Sequence, residues 1–300
     1  MTTLDRRLNA YRDDLAARAL EGRVTAPRYA DGVTRQVVIG LASVRRRPDP
    51  ASRQDTEALF GETVTVYDTR DGWAWVQLES DGYVGYVQES ALGIAHTPTH
   101  TVTAERTFLY PEGDIKSPSL MALSLGSRLA VKSETGTLLA LASGGYVVAR
   151  HAVPSDTFAA DFVAVAETLV GIPYLWGGKS TKGLDCSGLL QLSMQRAGLG
   201  CPRDSDMQAK ALGQPIGKEA PLQRGDLVFW PGHVGIMVDA SRLLHANGHH
   251  MQIVIEPLTG AIERIAATGV VVSDVRRLAA LGANNHCRVD SSPASAKTTA

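Results

Sequence analysis

Cysteine is scarce in this chain. Three are present, Cys186, Cys201 and Cys287. The odd count and the lack of paired spacing argue against a disulfide framework and against a zinc cluster. Reduced thiols fit a cytosolic setting. An excess of charge of one sign is lacking too. The formal net charge of -1 supplies no field for nucleic acid or an anionic membrane, so neither is expected as a partner. No apolar run is long enough to span a bilayer. The opening MTTLDRRLNAYRDDLAARAL has no apolar h-region and carries Asp5, Asp13 and Asp14. It does not read as a secretory signal, and the expectation is a cytoplasmic protein.

What is present is ordinary for a globular protein, with 44% apolar and 20% charged residues. The length allows two or three domains. Leu4, Leu8, Tyr11, Leu15 and Ala19 recur at spacings of three and four, which predicts a helix over residues 4–20. A Gly-, Pro- and charge-rich arm follows over 22–35. From about residue 36 the period becomes two. Val37–Ile39, Thr63–Tyr67, Trp73–Leu78 and Tyr83–Val87 read as short strands punctuated by Gly61, Asp71-Gly72 and Asp81-Gly82, which suggests a small barrel. Arg128–Val131, Thr137–Leu141 and Gly145–Val148 repeat that spacing, so a second barrel is expected. A helix is predicted over 157–170, stopped by Gly171, and a second one begins at Cys186 and ends at Gly198 or Gly200. Strands Leu227–Trp230, His233–Val238, Leu243–Ala246 and Gln252–Ile255 come after it. Helices followed by antiparallel strands make this an α+β unit rather than a βαβ sheet. The expected division is 1–32 helix and arm, 33–95 first barrel, 96–155 second barrel, 156–282 α+β domain and 283–300 disordered tail.

The chemistry centres on Gly183-Leu184-Asp185-Cys186-Ser187-Gly188-Leu189-Leu190. It sets a cysteine at the mouth of a helix, where the helix N-terminus lowers a thiol's pKa and Asp185 can cap. Leu189, Leu190 and Met194 supply the core-facing stripe. A cysteine on a core helix can equally be an inert small hydrophobe, so partners matter. A thiolate nucleophile needs a base and a third group to orient it. His233, after the Pro231-Gly232 turn, and His245, on the next strand, are the candidates. Adjacent antiparallel strands would bring them within hydrogen-bonding reach. His249 and His250 sit in a Gly-led turn and read as exposed. Cys201 reads as structural, and Cys287 carries no assigned chemistry.

Five ordered blocks then resemble the NlpC/P60 cysteine peptidases: Pro173-Tyr174-Leu175-Trp176-Gly177-Gly178, Leu184-Asp185-Cys186-Ser187-Gly188, Arg203-Asp204-Ser205, Arg224-Gly225-Asp226-Leu227-Val228-Phe229 and Gly232-His233-Val234-Gly235-Ile236. The resemblance covers about 156–280. It implies a papain-like domain cutting peptidoglycan peptides, with Cys186 as nucleophile, His233 as base, His245 as orienting residue and Tyr174 beside the cysteine. No cofactor or metal is implied. The two preceding modules resemble bacterial SH3 (SH3b) domains. The whole layout is similar to the cytoplasmic γ-D-glutamyl-L-diamino acid endopeptidases of wall-peptide recycling. That subgroup implies a murein-derived peptide as partner, with a free N-terminal L-Ala whose ammonium meets acidic groups and a tyrosine. Asp204, Ser187 and Ser205 match its pocket, Tyr83 its barrel tyrosine, and Asp55 or Glu57 its barrel acid. A free ammonium in a pocket demands a carboxylate, while a capped amine would clash and leave that carboxylate unpaired. A non-catalytic wall-binding protein, a secreted remodelling enzyme, and an amidase or acyltransferase on the same core stand as alternatives. Oligomeric state is not legible.

Overall fold

The computed structural model describes residues 4–217 and 220–279. The expected tail and Cys287 lie outside the described residues.

The helix expected over residues 4–20 does not form. The segment is a turn, a two-residue strand at Ala16–Ala17 and one turn of 3-10 helix at Arg18–Leu20. The reason is where its backbone bonds go. Asp5 takes the Arg7 N–H on its side chain, the Val84 N–H reaches the Arg7 carbonyl at 2.8 Å, and Gln77 Nε2 reaches the Leu8 carbonyl at 2.9 Å. The chain closes one turn, with the Asn9 N–H on the Asp5 carbonyl at 3.0 Å, and then gives its carbonyls to the neighbouring sheet instead of extending an i to i−4 ladder. The apolar residues read as a helix stripe do find a core: Leu4, Tyr11 and Leu15 pack around Trp75.

Residues 33–93 form a seven-stranded sheet in the order 54–59, 41–45, 84–88, 73–78, 63–70, 33–37, 92–93. Alternating Val44, Val64, Ala74, Val76, Leu78 and Val87 close over its interior. Residues 100–154 are also all-β, as two three-stranded sheets and a two-stranded one, around a core of Val102, Leu109, Leu123, Leu129, Leu141 and Val147. Strands 100–102, 106–109 and 121–124 were not legible as a period-two pattern.

The α+β unit has a six-stranded sheet ordered 214–215, 274–277, 227–230, 233–237, 242–247, 252–257. Its helices are α1 (Phe162–Glu167), α2 (Cys186–Arg196), α3 (Ser205–Ala211) and α4 (Leu258–Ala266). α1 is shorter than expected, and α4 was not foreseen. Helix α2 lies buried across strands 233–237 and 242–247, with Leu189 and Leu190 in one core with Val234, Ile236, Leu244 and Ala246. Removing that apolar surface from water stabilises each large side chain by roughly 1.5–3 kcal/mol. Gly198, with φ +76°, lets the chain leave α2 in the left-handed conformation.

Candidate active site

Asp185 caps α2 as expected: its Oδ1 accepts the Gly188 N–H at 2.7 Å. It does more than cap. Its Oδ2 accepts the Gly177 N–H at 2.9 Å, and both oxygens take the guanidinium of Arg203, at 2.9 and 2.7 Å. Arg203 is fully buried and also donates to Thr56 Oγ1 at 2.7 Å and to Ser187 Oγ at 2.8 Å. The loop before the cysteine is thereby fixed on all sides. Gly188 is obligatory there, since a Cβ would sit 2.2 Å from the Gly178 carbonyl oxygen.

Cys186 is the first residue of α2 and is 9% exposed. Expectation and structure differ on its acidity. Burial, and next the charge of Asp185, push its thiol up to about 12, against the lowering effect of the helix N-terminus, the Val234 N–H and Arg203. The carboxylate that caps the helix offsets the helix's own partial positive charge.

The two histidines come together as expected. His233 Nε2 and His245 Nδ1 are 2.8 Å apart. Strands 233–237 and 242–247 pair Ile236 with Leu244, so the two rings meet diagonally across the ladder. Burial holds His233 at about 3, with His245 second among the causes, and burial lowers His245 also. Burial thus favours the neutral thiol and the neutral imidazole, and the Cys186 sulfur meets the backbone N–H of Val234, the residue after His233. Such a pair can react by passing the thiol proton to His233 as the carbon–sulfur bond forms. Tyr174 stands half-buried in the loop bridged to Leu184, and burial, then Cys186, raise its hydroxyl to about 12. It stays protonated and able to donate a hydrogen bond.

Asp204 precedes α3, and its Oδ2 accepts from Tyr83 Oη at 3.1 Å. Burial raises its carboxyl above the usual carboxylate value, against Arg203, Arg7 and the Tyr83 bond. Ser205 stands next to it, half-buried, while Ser187 is drawn into the Asp185–Arg203 network. Of the two barrel acids, Glu57 is buried and its Oε2 accepts the Lys179 N–H at 2.9 Å, a structural role. Asp55, paired to Arg46 at 2.8 Å, is the one whose charge reaches Tyr83. His249 and His250 are exposed as expected, and Cys201 is buried with Gln208 Nε2 at 3.4 Å from its sulfur.

The first β module is thus joined to the α+β unit around α2 at several points. Thr56 meets Arg203, Glu57 meets Lys179, Asp81 meets Gln191, and Tyr83 meets Asp204. Lys179 Nζ also makes a buried pair with Glu62 at 2.9 Å. Two residues were missed by sequence reasoning. Arg7, assigned to a helix, donates from Nη1 to Asp204 Oδ2 at 2.8 Å and also pairs with Asp206. Glu256 Oε1 lies 2.7 Å from His245 Nε2. Only the strand register could have revealed it.

Comparison with known proteins agrees with this layout. Residues 44–92 match the bacterial dipeptidyl-peptidase SH3 domain, and residues 171–271 match the NlpC/P60 family. The chain is 30% identical over 233 residues to a gamma-D-glutamyl-L-lysine dipeptidyl-peptidase of Bacillus subtilis, covering 69% of this chain and 77% of that protein. It is 29% identical to dipeptidyl-peptidase 6 of Lysinibacillus sphaericus, over 70% of this chain and 86% of the relative. An NlpC/P60 protein from Bacillus cereus superposes with a TM-score of 0.69 at 24% identity, over 82% of this chain and 99% of the other, which is a likeness of fold. The mostly-β architecture, the SH3 module and the cysteine at the head of a helix over an antiparallel sheet converge: the chain belongs to the NlpC/P60 family and is a cysteine peptidase with a bacterial SH3 domain.

Proposed function

We propose that this peptidase hydrolyses the γ-D-glutamyl–diamino acid bond of short murein peptides that carry a free N-terminal L-Ala, as in the recycling of wall peptides in the cytoplasm. The observation that carries the reading is the Tyr83–Asp204 contact, which sets a half-buried carboxylate and a barrel tyrosine beside the loop that holds Cys186. Both bonds to Asp204, from Tyr83 and Arg7, fall on Oδ2. Oδ1 is the oxygen left for an ammonium among the described residues. The names of two relatives, gamma-D-glutamyl-L-lysine dipeptidyl-peptidases, support the same reading.

In the proposed cycle Cys186 attacks the γ-carbonyl of D-Glu while its proton passes to His233. Tyr174 donates to the oxygen as negative charge grows on it. His233 then gives the proton to the departing diamino acid amine, leaving a thioester that water cleaves with His233 again as base. Ser187 and Ser205 flank the amine end of the bound peptide. Incubation with L-Ala-γ-D-Glu-diaminopimelate, followed by mass spectrometry, tests the reading. L-Ala-D-Glu is the expected product, absent with Cys186→Ala. Release of free L-Ala, or turnover by the alanine variant, contradicts it.

A further inference from the structure

The known chemistry of the family needs a base and one orienting group. In this chain the hydrogen-bonded line does not stop at His245. Its Nε2 lies 2.7 Å from Glu256 Oε1. Glu256 is held in turn by Arg264 of α4, with Nη1 on Oε2 at 2.7 Å. The strand pairing sets Leu243 opposite Glu256 and His245 opposite Val254, so Glu256 reaches His245 diagonally on the same face of the sheet.

We propose that Glu256 is a positioning residue that fixes the tautomers of both site histidines. The argument runs from donors and acceptors. Burial raises the carboxyl of Glu256, but the Arg264 and His245 bonds outweigh it and hold it at about 2, so it is an acceptor at neutral pH. His245 Nε2 must then carry the hydrogen. A neutral imidazole has one N–H, so His245 Nδ1 has the lone pair. That lone pair faces His233 Nε2 at 2.8 Å, which must donate. The remaining nitrogen of His233, Nδ1, is left unprotonated. It is the base that receives the thiol proton, and the two hydrogens further along the line stay where they are.

Asn247 offers a competing arrangement, and charge decides against it. Its Nδ2 lies 3.0 Å from His245 Nε2, and its Oδ1 is occupied by the His250 N–H at 2.8 Å. If Nε2 accepted from Asn247, a carboxylate would face a lone pair at 2.7 Å. The charge-assisted bond to Glu256 is the stronger of the two. The other titratable groups around Glu256 are Arg264, from α4, and His250, whose Nδ1 is 4.0 Å from Oε1. When His233 gains the thiol proton, the negative end of the line also stabilises the imidazolium.

The inference rests on the assignment of Cys186, His233 and His245 to the site. Its test uses the full chain with 15N-labelled histidine and the variants Glu256→Gln and Glu256→Asp, with Cys186→Ala as control. In the unmutated protein the expected spectrum has His245 protonated on Nε2 and His233 on Nε2. Glu256→Gln is expected to give mixed tautomers and to lower kcat by about tenfold or more, with KM changed by less than about twofold, and Glu256→Asp to recover part of kcat. A His245 ring protonated on Nδ1 in the unmutated protein overturns the inference, whether or not the variants fold. So does a folded Glu256→Gln enzyme with kcat within about twofold of the parent. Turnover by Cys186→Ala would instead refute the underlying site assignment.

Discussion

Tyr83 of the SH3 module and Asp204 of the peptidase unit share a hydrogen bond of 3.1 Å, 121 residues apart in sequence. Neither group is free to move independently, since Tyr83 is 2% exposed and Asp204 opens α3. The surroundings of Asp204 are therefore made by two modules together. On the proposed reading this shared pair faces the substrate ammonium.

Removing the phenol hydroxyl tests that sharing. A hydrogen bond to a charged group contributes about 1.5–3 kcal/mol. Tyr83→Phe should lower kcat/KM on the free-amine peptide by roughly ten- to a hundredfold, mostly through KM. An unchanged KM in steady-state kinetics would separate Tyr83 from substrate binding.

The pH profile follows from two groups. Asp204 has its carboxyl raised by burial, so it protonates at a higher pH than an ordinary carboxylate and loses its attraction for an ammonium there. The acid limb of kcat/KM should lie above the usual Asp value of about 3.9, and the alkaline limb near about 8, where an α-amino group deprotonates. His233, held at about 3, adds no limb near neutrality. In Asp204→Asn both limbs should flatten. A limb near about 6.5 that persists in that variant would mean that His233 titrates with its ordinary value.

How much of this was readable depends on the kind of residue. Cys186, His233 and His245 carry chemistry in their side chains and sit in short local motifs, so they stood out. Asp185 was legible as a cap because capping is a property of a few adjacent residues. Its burial against Arg203 was not, since that pair depends on loops 18 residues apart folding together. The segment 4–20 misled for a related reason: its apolar spacing is real, but strands 73–78 and 84–88 beside it took its carbonyls at Arg7 and Leu8. Glu256, Arg7 and the different partners of Asp55 and Glu57 depend on register and module docking, which no local pattern encodes.

The loop under Cys186 should depend on its buried ion pair. Arg203→Ala leaves Asp185 without its partner and should cost about 3–5 kcal/mol of stability. Arg203→Lys should recover little, because an ammonium cannot reproduce the two-pronged contact. Urea denaturation measures both, and a loss under about 1 kcal/mol for the alanine variant would contradict the role given to the pair.

The Lys179–Glu62 pair makes the same point at the seam between modules. Its side chains are 0% and 4% exposed. Lys179→Met alone strands a buried carboxylate and should destabilise by about 3–5 kcal/mol, whereas Lys179→Met with Glu62→Leu should recover most of it. Thermal unfolding of the two variants checks this. Equal losses would place the cost in packing rather than in the unpaired charge.

The central claim, recognition of a free amine at Asp204, is tested most directly by one ratio. We would measure kcat/KM for L-Ala-γ-D-Glu-diaminopimelate and for the same peptide acetylated on L-Ala, with the parent enzyme and with Asp204→Ala. The account predicts a strong preference for the free amine in the parent, cut in the variant by roughly 2–4 kcal/mol through loss of the free-amine substrate alone. Equal turnover of the two peptides by the parent enzyme, or a preference that survives in Asp204→Ala, would contradict it.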